Sequence, residues 1–292
     1  MSRDWRRVRA AALLMAGMLC LTVNAAAQSG AATSRGTAST NTNKTIGRDT
    51  SPINPENSLE LIKPVDLKEE NAFNEFQRIS PEDPKKKIEK GKTFLERYPL
   101  SHFKAQVYSA LTSAYLQTNQ VEKMVEAGEK ALALDPKDVQ VLAMLGQTLP
   151  RVITASTPEP EKQLDKAEQY AKRAIEGTPA LTKPDGVSND QFEKDKNQTL
   201  AIAHSGLGLV NFHRGDYTAA VAELEQSVKL APRSDPTNYY VLGVAHHNLS
   251  HFNEAAAAFR KCAEFQGSLQ ATCKDGAEKD KAAAAMQTTS PK

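Results

Sequence analysis

In "AHSGLGLVNFHRGDYTAAVAELEQSVKLAP", Ala203 to Pro232, an apolar run with helical spacing leads into Gly215-Asp216 and then into an alanine-rich second run. The pattern predicts helix, turn, helix. Two glycines, Gly206 and Gly208, interrupt the first run. Each costs about 1 kcal/mol in a helix interior relative to alanine, so a glycine is kept only where a side chain would collide with a neighbour.

The same pattern recurs. Counting forward from Leu207-Gly208 gives Ala220, Leu224, Ser227 and Pro232; the same offsets from Leu242-Gly243 give Ala255, Phe259, Cys262 and Gly267, with Tyr239 three before the leucine. Gly208 and Gly243 are 35 residues apart, a period that signals a repeat architecture. Upstream, Leu145-Gly146 aligns with Ala167, Ala171, Ala174 and Pro179 once nine extra residues at "VITASTPEPEKQL" are allowed. Leu111-Thr112 aligns with Tyr108, Tyr115, Ala131 and Pro136, although Met124 and Gly128 replace the small and large apolar residues of the pattern. A degenerate first unit pairs "DLKEENAFNEFQRI" with "DPKKKIEKGKTFLERYP".

These anchors resemble the tetratricopeptide repeat (TPR) family, whose helix-turn-helix units carry an aromatic, Leu-Gly, Tyr, Ala, Phe, Ala and Pro in that order. The resemblance implies an all-α fold, a right-handed solenoid spanning residues 58–275. Its units are 66–100 (degenerate), 105–138, 139–182 with an insertion, 201–235 and 236–268; residues 276–292 are expected to be a capping-helix remnant and a disordered tail. It also implies that Gly208 faces Ala220 and Gly243 faces Ala255, at the closest approach of the paired helices. Two insertions depart from the family, at 152–164 and 180–200; in the second, Ser188 with Gln191 makes a capping box that would start an over-long helix near Asn189.

In the family the first helix of each repeat, helix A, lines an inner groove. The matching positions here are Gln106, Ser109, Ser113 and Leu116; Gln140, Ala143 and Gln147; Ser205, Leu209 and Phe212; Tyr240, Val244 and His247. The resemblance implies a protein or peptide partner on this groove, polar and uncharged at one end and apolar-aromatic at the other. It lacks the Lys and Asn set with which some relatives clamp a terminal carboxylate. Such a groove suits an extended or helical segment with apolar anchors, Phe212 and Tyr240 among them.

The chain opens with Arg3, Arg6, Arg7 and Arg9, an apolar run from Ala10 to Val23, and "NAAAQ", a secretory signal expected to be cleaved after Ala27. The run is too short to span a bilayer, which needs roughly 20 residues. No transmembrane segment is expected in the mature chain, which would be periplasmic or secreted. Cys20 raises the alternative of a lipoprotein, against which stands Leu19 where a small residue is usual. Residues 28–57, rich in Ser, Thr, Asn, Gly and Ala, read as a flexible tether. Losing residues 1–27 removes four arginines and one aspartate, which turns the formal charge of +2 into −1 and leaves no electrostatic case for nucleic acid.

Cys262 and Cys273, the only cysteines left after cleavage, form an even set in an oxidising compartment, which favours a disulfide over two buried thiols. His246, His247 and His251 raise a metal-binding or enzymatic reading for the last repeat, with His204 and His213 nearby. "LSH" falls where the turn belongs, and no acidic residue or cysteine joins at ligand spacing, so no metal and no cofactor are expected. No catalytic motif occurs either. The sequence therefore reads as a non-enzymatic exported scaffold. A narrower alternative is an accessory of outer-membrane or cell-wall assembly, from the likeness of "FLERYPLSHFKAQVYSAL" to units of such proteins. Intact-mass measurement of the exported protein should show a chain beginning at Gln28; a retained arginine-rich start or a lipid on Cys20 would refute it.

Overall fold

The computed structural model describes residues 67–231 and 235–289. The expected signal peptide and tether lie outside the described residues, as does Pro232. Eleven α-helices and no strand occur among the described residues. They are α1 (Leu67–Gln77), α2 (Pro84–Arg97), α3 (Lys104–Gln117), α4 (Val121–Leu134), α5 (Val139–Val152), α6 (Pro160–Gly177), α7 (Asn189–Arg214), α8 (Tyr217–Leu230), α9 (Pro236–Asn248), α10 (Phe252–Ala263) and α11 (Gln270–Thr289). Consecutive helices pack as antiparallel pairs, and each pair stacks on the next to form an α-solenoid.

Aspartate and serine punctuate the pairs. Asp83, Asp138, Asp216 and Asp235 each accept a hydrogen bond from a backbone N–H in the first turn of α2, α5, α8 and α9. Ser188 does the same for α7 by accepting from the Gln191 N–H at 3.2 Å, and α7 runs for 26 residues, as the insertion suggested. Gly215 ends α7 with a φ of +78°, a left-handed conformation that suits glycine.

The glycines set the helix spacing, but not against the partners expected. A Cβ on Gly208 would sit 2.6 Å from Leu224 Cγ, and one on Gly243 would sit 2.8 Å from the Phe259 ring. Each glycine thus makes room for the large apolar residue of helix B, one turn beyond the alanine, while Ala220 and Ala255 are buried beside it. Gly206 has a different task. A Cβ there would lie 2.7 Å from the Gly146 carbonyl oxygen, so Gly206 lets α7 lie against the backbone of α5 in the preceding repeat. Pro150, four residues beyond Gly146, has no N–H to donate to that carbonyl.

The C-terminal end also departs from expectation. The expected tail is helical as far as Thr289, in a helix that begins at Gln270. Gly276 explains how: a Cβ there would be 3.0 Å from the Phe259 ring, so the ring is clasped between Gly243 of α9 and Gly276 of α11. Cys262 and Cys273, both fully buried, form the disulfide that ties α11 to α10.

Gly206→Ala is expected to lower unfolding stability by about 1–3 kcal/mol or more, because its obstacle is backbone. Gly208→Ala should cost less, since Leu224 can turn, and Gly215→Ala should cost about 1 kcal/mol through its positive φ alone. Urea titrations of the three variants check the order.

Candidate protein-interaction surface

The thirteen residues expected to line the helix-A groove do not share one environment. Gln106 and Gln140 are exposed; Ser109, Ser113, Leu116, Phe212 and His247 are half-buried; Ala143, Gln147, Ser205, Leu209, Tyr240 and Val244 are buried. The division follows the chain. Gln147 and Ser205 meet where α5 packs closely on α7, whereas Leu209, Tyr240 and Val244 are buried in the apolar cluster of the last two repeats.

Polar residues at this contact satisfy each other. Gln147 Nε2 donates to Ser205 Oγ at 2.9 Å, and Ser205 Oγ donates to Asn238 Oδ1 at 2.6 Å. Asn238 Nδ2 donates to Ser227 Oγ at 3.0 Å, whose hydroxyl donates to the Ala201 carbonyl at 2.7 Å. This buried chain crosses α5, α7, α9 and α8 and lies between two apolar clusters. One runs from Phe73 to Val210, the other from Leu209 to Ala277. Near it, Arg151 at the end of α5 pairs with the buried Asp235 at the start of α9, reaching past α7. His213 Nε2 lies 2.8 Å from the Pro150 carbonyl.

The aromatic positions meet different fates. Tyr240 packs against Phe259 with ring centroids 5.9 Å apart, and burial pushes its hydroxyl up to about 12. Tyr240 is therefore part of the core rather than an anchor offered to a partner. Phe212 stands edge-on to Tyr217, at 5.7 Å, and keeps some exposure. His247 Nδ1 is 2.5 Å from Oδ1 of Asp280, a fully buried carboxylate on α11. The last helix thus covers the final groove position. His246 is buried as the family's aromatic position requires, and His251 precedes α10 across a turn in which Ser250 has a φ of +61°. Among the described residues no group of three or more His, Cys, Asp or Glu side chains gathers at a point able to hold a metal ion.

What remains accessible is the helix-A face of α3, together with Gln140 at the start of α5, whose residues 141–150 are all buried. The side chains of Gln106, Ser109, Gln117 and Gln140 make no hydrogen bonds within the described residues, and Ser113 reaches only the Met144 sulfur, at 3.6 Å. Charge lies elsewhere. Lys166 pairs with Glu129 between α6 and α4, and Arg214 at the end of α7 holds Asp165 and Glu168 of α6 at 2.6 and 2.5 Å. Helices α4 and α6 thus carry far more charge than α3 and α5, which hold one charged residue each.

With the helix pairs and their glycine contacts in place, the repeats can be compared with known proteins. The tetratricopeptide repeat family model matches residues 105–138 and 236–268, which are α3–α4 and α9–α10 with their turns. The chain carries tetratricopeptide repeats. Among solved structures it is similar to PilW, described as a widely conserved type IV pilus biogenesis factor. That likeness has 14% sequence identity over 76% of this chain and 92% of that chain, with a TM-score of 0.45. No curated protein matches the chain. Besides the degenerate first unit, the family model leaves unmatched the two complete repeats next to the insertions, 139–182 and 201–235. They are also the ones whose helices A meet at Gly146 and Gly206.

Sequence reasoning missed Arg151, Asp235, Asn238 and Asp280. Only Gly206, the first glycine of "GLG", hinted at the close contact between α5 and α7. Burial lowers the affinity of His213 and His246 for protons, so both are neutral in the fold. The unfolded chain binds protons at these histidines below about pH 6.5, where the folded protein does not, so stability should fall as pH drops from about 6.5 towards 5. Thermal unfolding followed across that range checks this, and His213→Gln, which keeps a donor for the Pro150 carbonyl, should flatten the slope.

Proposed function

We propose that the chain is an exported, non-enzymatic scaffold that binds a protein or peptide partner on the helix-A face of its first complete repeat, α3–α4, and the adjoining start of α5 at Gln140. The observation that carries the reading is the contrast in how the groove positions are used. In the third and fourth repeats they are buried against one another, against the core or under α11, with Phe212 and His247 half-covered. In the first, Gln106 is exposed and Ser109 half-buried, and at the start of the second Gln140 is exposed while Ala143 and Gln147 are buried; the side chains of Gln106, Ser109 and Gln140 have no hydrogen-bond partner among the described residues. A rigid helical platform presenting unsatisfied polar groups can bind a segment with little reorganisation.

A narrower version makes the partner a component of outer-membrane or cell-wall assembly. The segment that favours it, residues 94–111, runs from the end of α2 into α3 and supplies Gln106 and Ser109 to the same face.

Photo-crosslinking in the producing cells tests both. Benzoylphenylalanine at 106, 109 or 140 should yield adducts, whereas the same probe at Glu122 or Lys172, exposed on helices B, should not. Adducts confined to the helix-B positions would overturn the assignment. Mass spectrometry of the adducts decides whether the partner is an envelope-assembly component.

A further inference from the structure

We infer that the row Lys86, Lys90 and Arg97 on α2, with Leu100 just beyond it, docks the solenoid on an anionic lipid surface. The cations lie over headgroup phosphates and the leucine reaches the boundary of the acyl chains. This contact uses none of the helix-A positions and stands independently of the scaffold reading.

Positive charge is concentrated on α2. Its residues include Lys85, Lys86, Lys87, Lys90, Lys92 and Arg97 against Glu89 and Glu96, an excess of 6 − 2 = 4. No other described helix has an excess above one.

Helical spacing sorts these residues. Gly91 and Phe94 are buried against α1 and α3. Lys87 is engaged beside them, where its Nζ donates to the carbonyls of Phe76 and Ile79 at 2.9 and 3.1 Å. On the solvent side Lys85, Glu89, Lys92 and Glu96 share one flank, and two carboxylates there offset two cations. Lys86, Lys90, Thr93 and Arg97 share the other flank, at i, i+4, i+7 and i+11, and all four are exposed. This second row is about 16 Å long and holds three cations and no anion. Lys86 makes no ion pair among the described residues. The Lys90 ammonium comes no nearer than 3.8 Å to Glu89, and the Arg97 guanidinium lies 5.5 Å over the Tyr98 ring. By contrast, Lys130, Lys172 and Lys279 on other helices each hold a carboxylate one turn away.

Leu100, three residues past Arg97, is 94% exposed, more than any other large apolar side chain among the described residues. A lone surface leucine is ordinary. One at the end of a row of unpaired cations makes the combination that holds proteins at bilayer interfaces, charge over the phosphates and an apolar group below them. An acidic protein fits this surface less well. The centre of a protein interface is poor in lysine and rich in aromatic and apolar residues, whereas the exposed residues of α2 are all charged except Thr93.

Co-sedimentation of the purified protein with vesicles tests the contact. Vesicles of phosphatidylcholine with about one-third phosphatidylglycerol should bind it, pure phosphatidylcholine about tenfold less, and about 0.5 M NaCl should release it. Lys86→Gln/Lys90→Gln/Arg97→Gln should lower binding about 100-fold, at about fivefold per cation. Lys130→Gln/Lys172→Gln/Lys279→Gln, the same change in net charge elsewhere, should alter it less than about twofold at about 0.1 M salt. Leu100→Ser should lower it about fivefold. All these side chains are exposed, so helicity should be unchanged. Every form carries the same N-terminus, so the differences between them read α2 and Leu100 alone. Equal binding to both kinds of vesicle, equal loss in the two triple variants, or no loss with Leu100→Ser would overturn the lipid assignment. Poly-glutamate that binds more tightly than the vesicles, and through the same three cations, would assign the row to an acidic protein instead.

Discussion

Removal of a single carbon atom governs this solenoid. At Gly206 the chain gives up a side chain so that α7 can lie against the Gly146 carbonyl of the preceding repeat, and a methyl there would sit 2.7 Å from that oxygen. Gly208, two residues on, faces the other way and admits Leu224 of its own helix pair. The two glycines therefore fix two different distances, one within a repeat and one between repeats. The first is what a helix-turn-helix unit needs in order to exist. The second decides how tightly the units coil.

Tight coiling then determines which polar groups face water. Where helices A touch, Gln147, Ser205, Asn238 and Ser227 bond to one another in the interior. Buried polar groups carry a desolvation cost unless all are partnered, and here the chain ends on the Ala201 carbonyl. Such a chain favours one alignment of the helices, because sliding α7 along α5 would break the Gln147–Ser205 bond and leave a buried amide without its partner. Where the helices A are open, residues of the same chemical types stand without partners. The contrast between closed and open groove is thus one of spacing, with composition nearly the same in both.

The helix pairs, the turns and the start of α7 at Ser188 were legible because they depend on local residues: periodic apolar positions, a cap, a glycine at a positive φ. The pairing of Cys262 with Cys273 was legible from the count of cysteines and the short chain between them. The accessibility of the groove was not, because a residue's position within a repeat says nothing of how near the next repeat lies. Tyr240 shows the difficulty. Its position matched the family's groove, yet its neighbours are Phe259 and the core of the last repeat. Gly276 gave no sign in the sequence of its task, which is to seat the Phe259 ring. Arg151 and Asp235, 84 residues apart, left no local trace at all.

That last pair changes how the repeats share their stability. A stack in which each unit touches only its neighbours behaves as a one-dimensional chain of coupled elements, able to fray from an end one unit at a time. The pairing of Arg151 with Asp235 connects the second complete repeat directly to the fourth. Loss of the fourth unit would strand a guanidinium in the second, and loss of the second would strand a carboxylate that also caps α9. Repeats two to four are thereby bound into a single cooperative block.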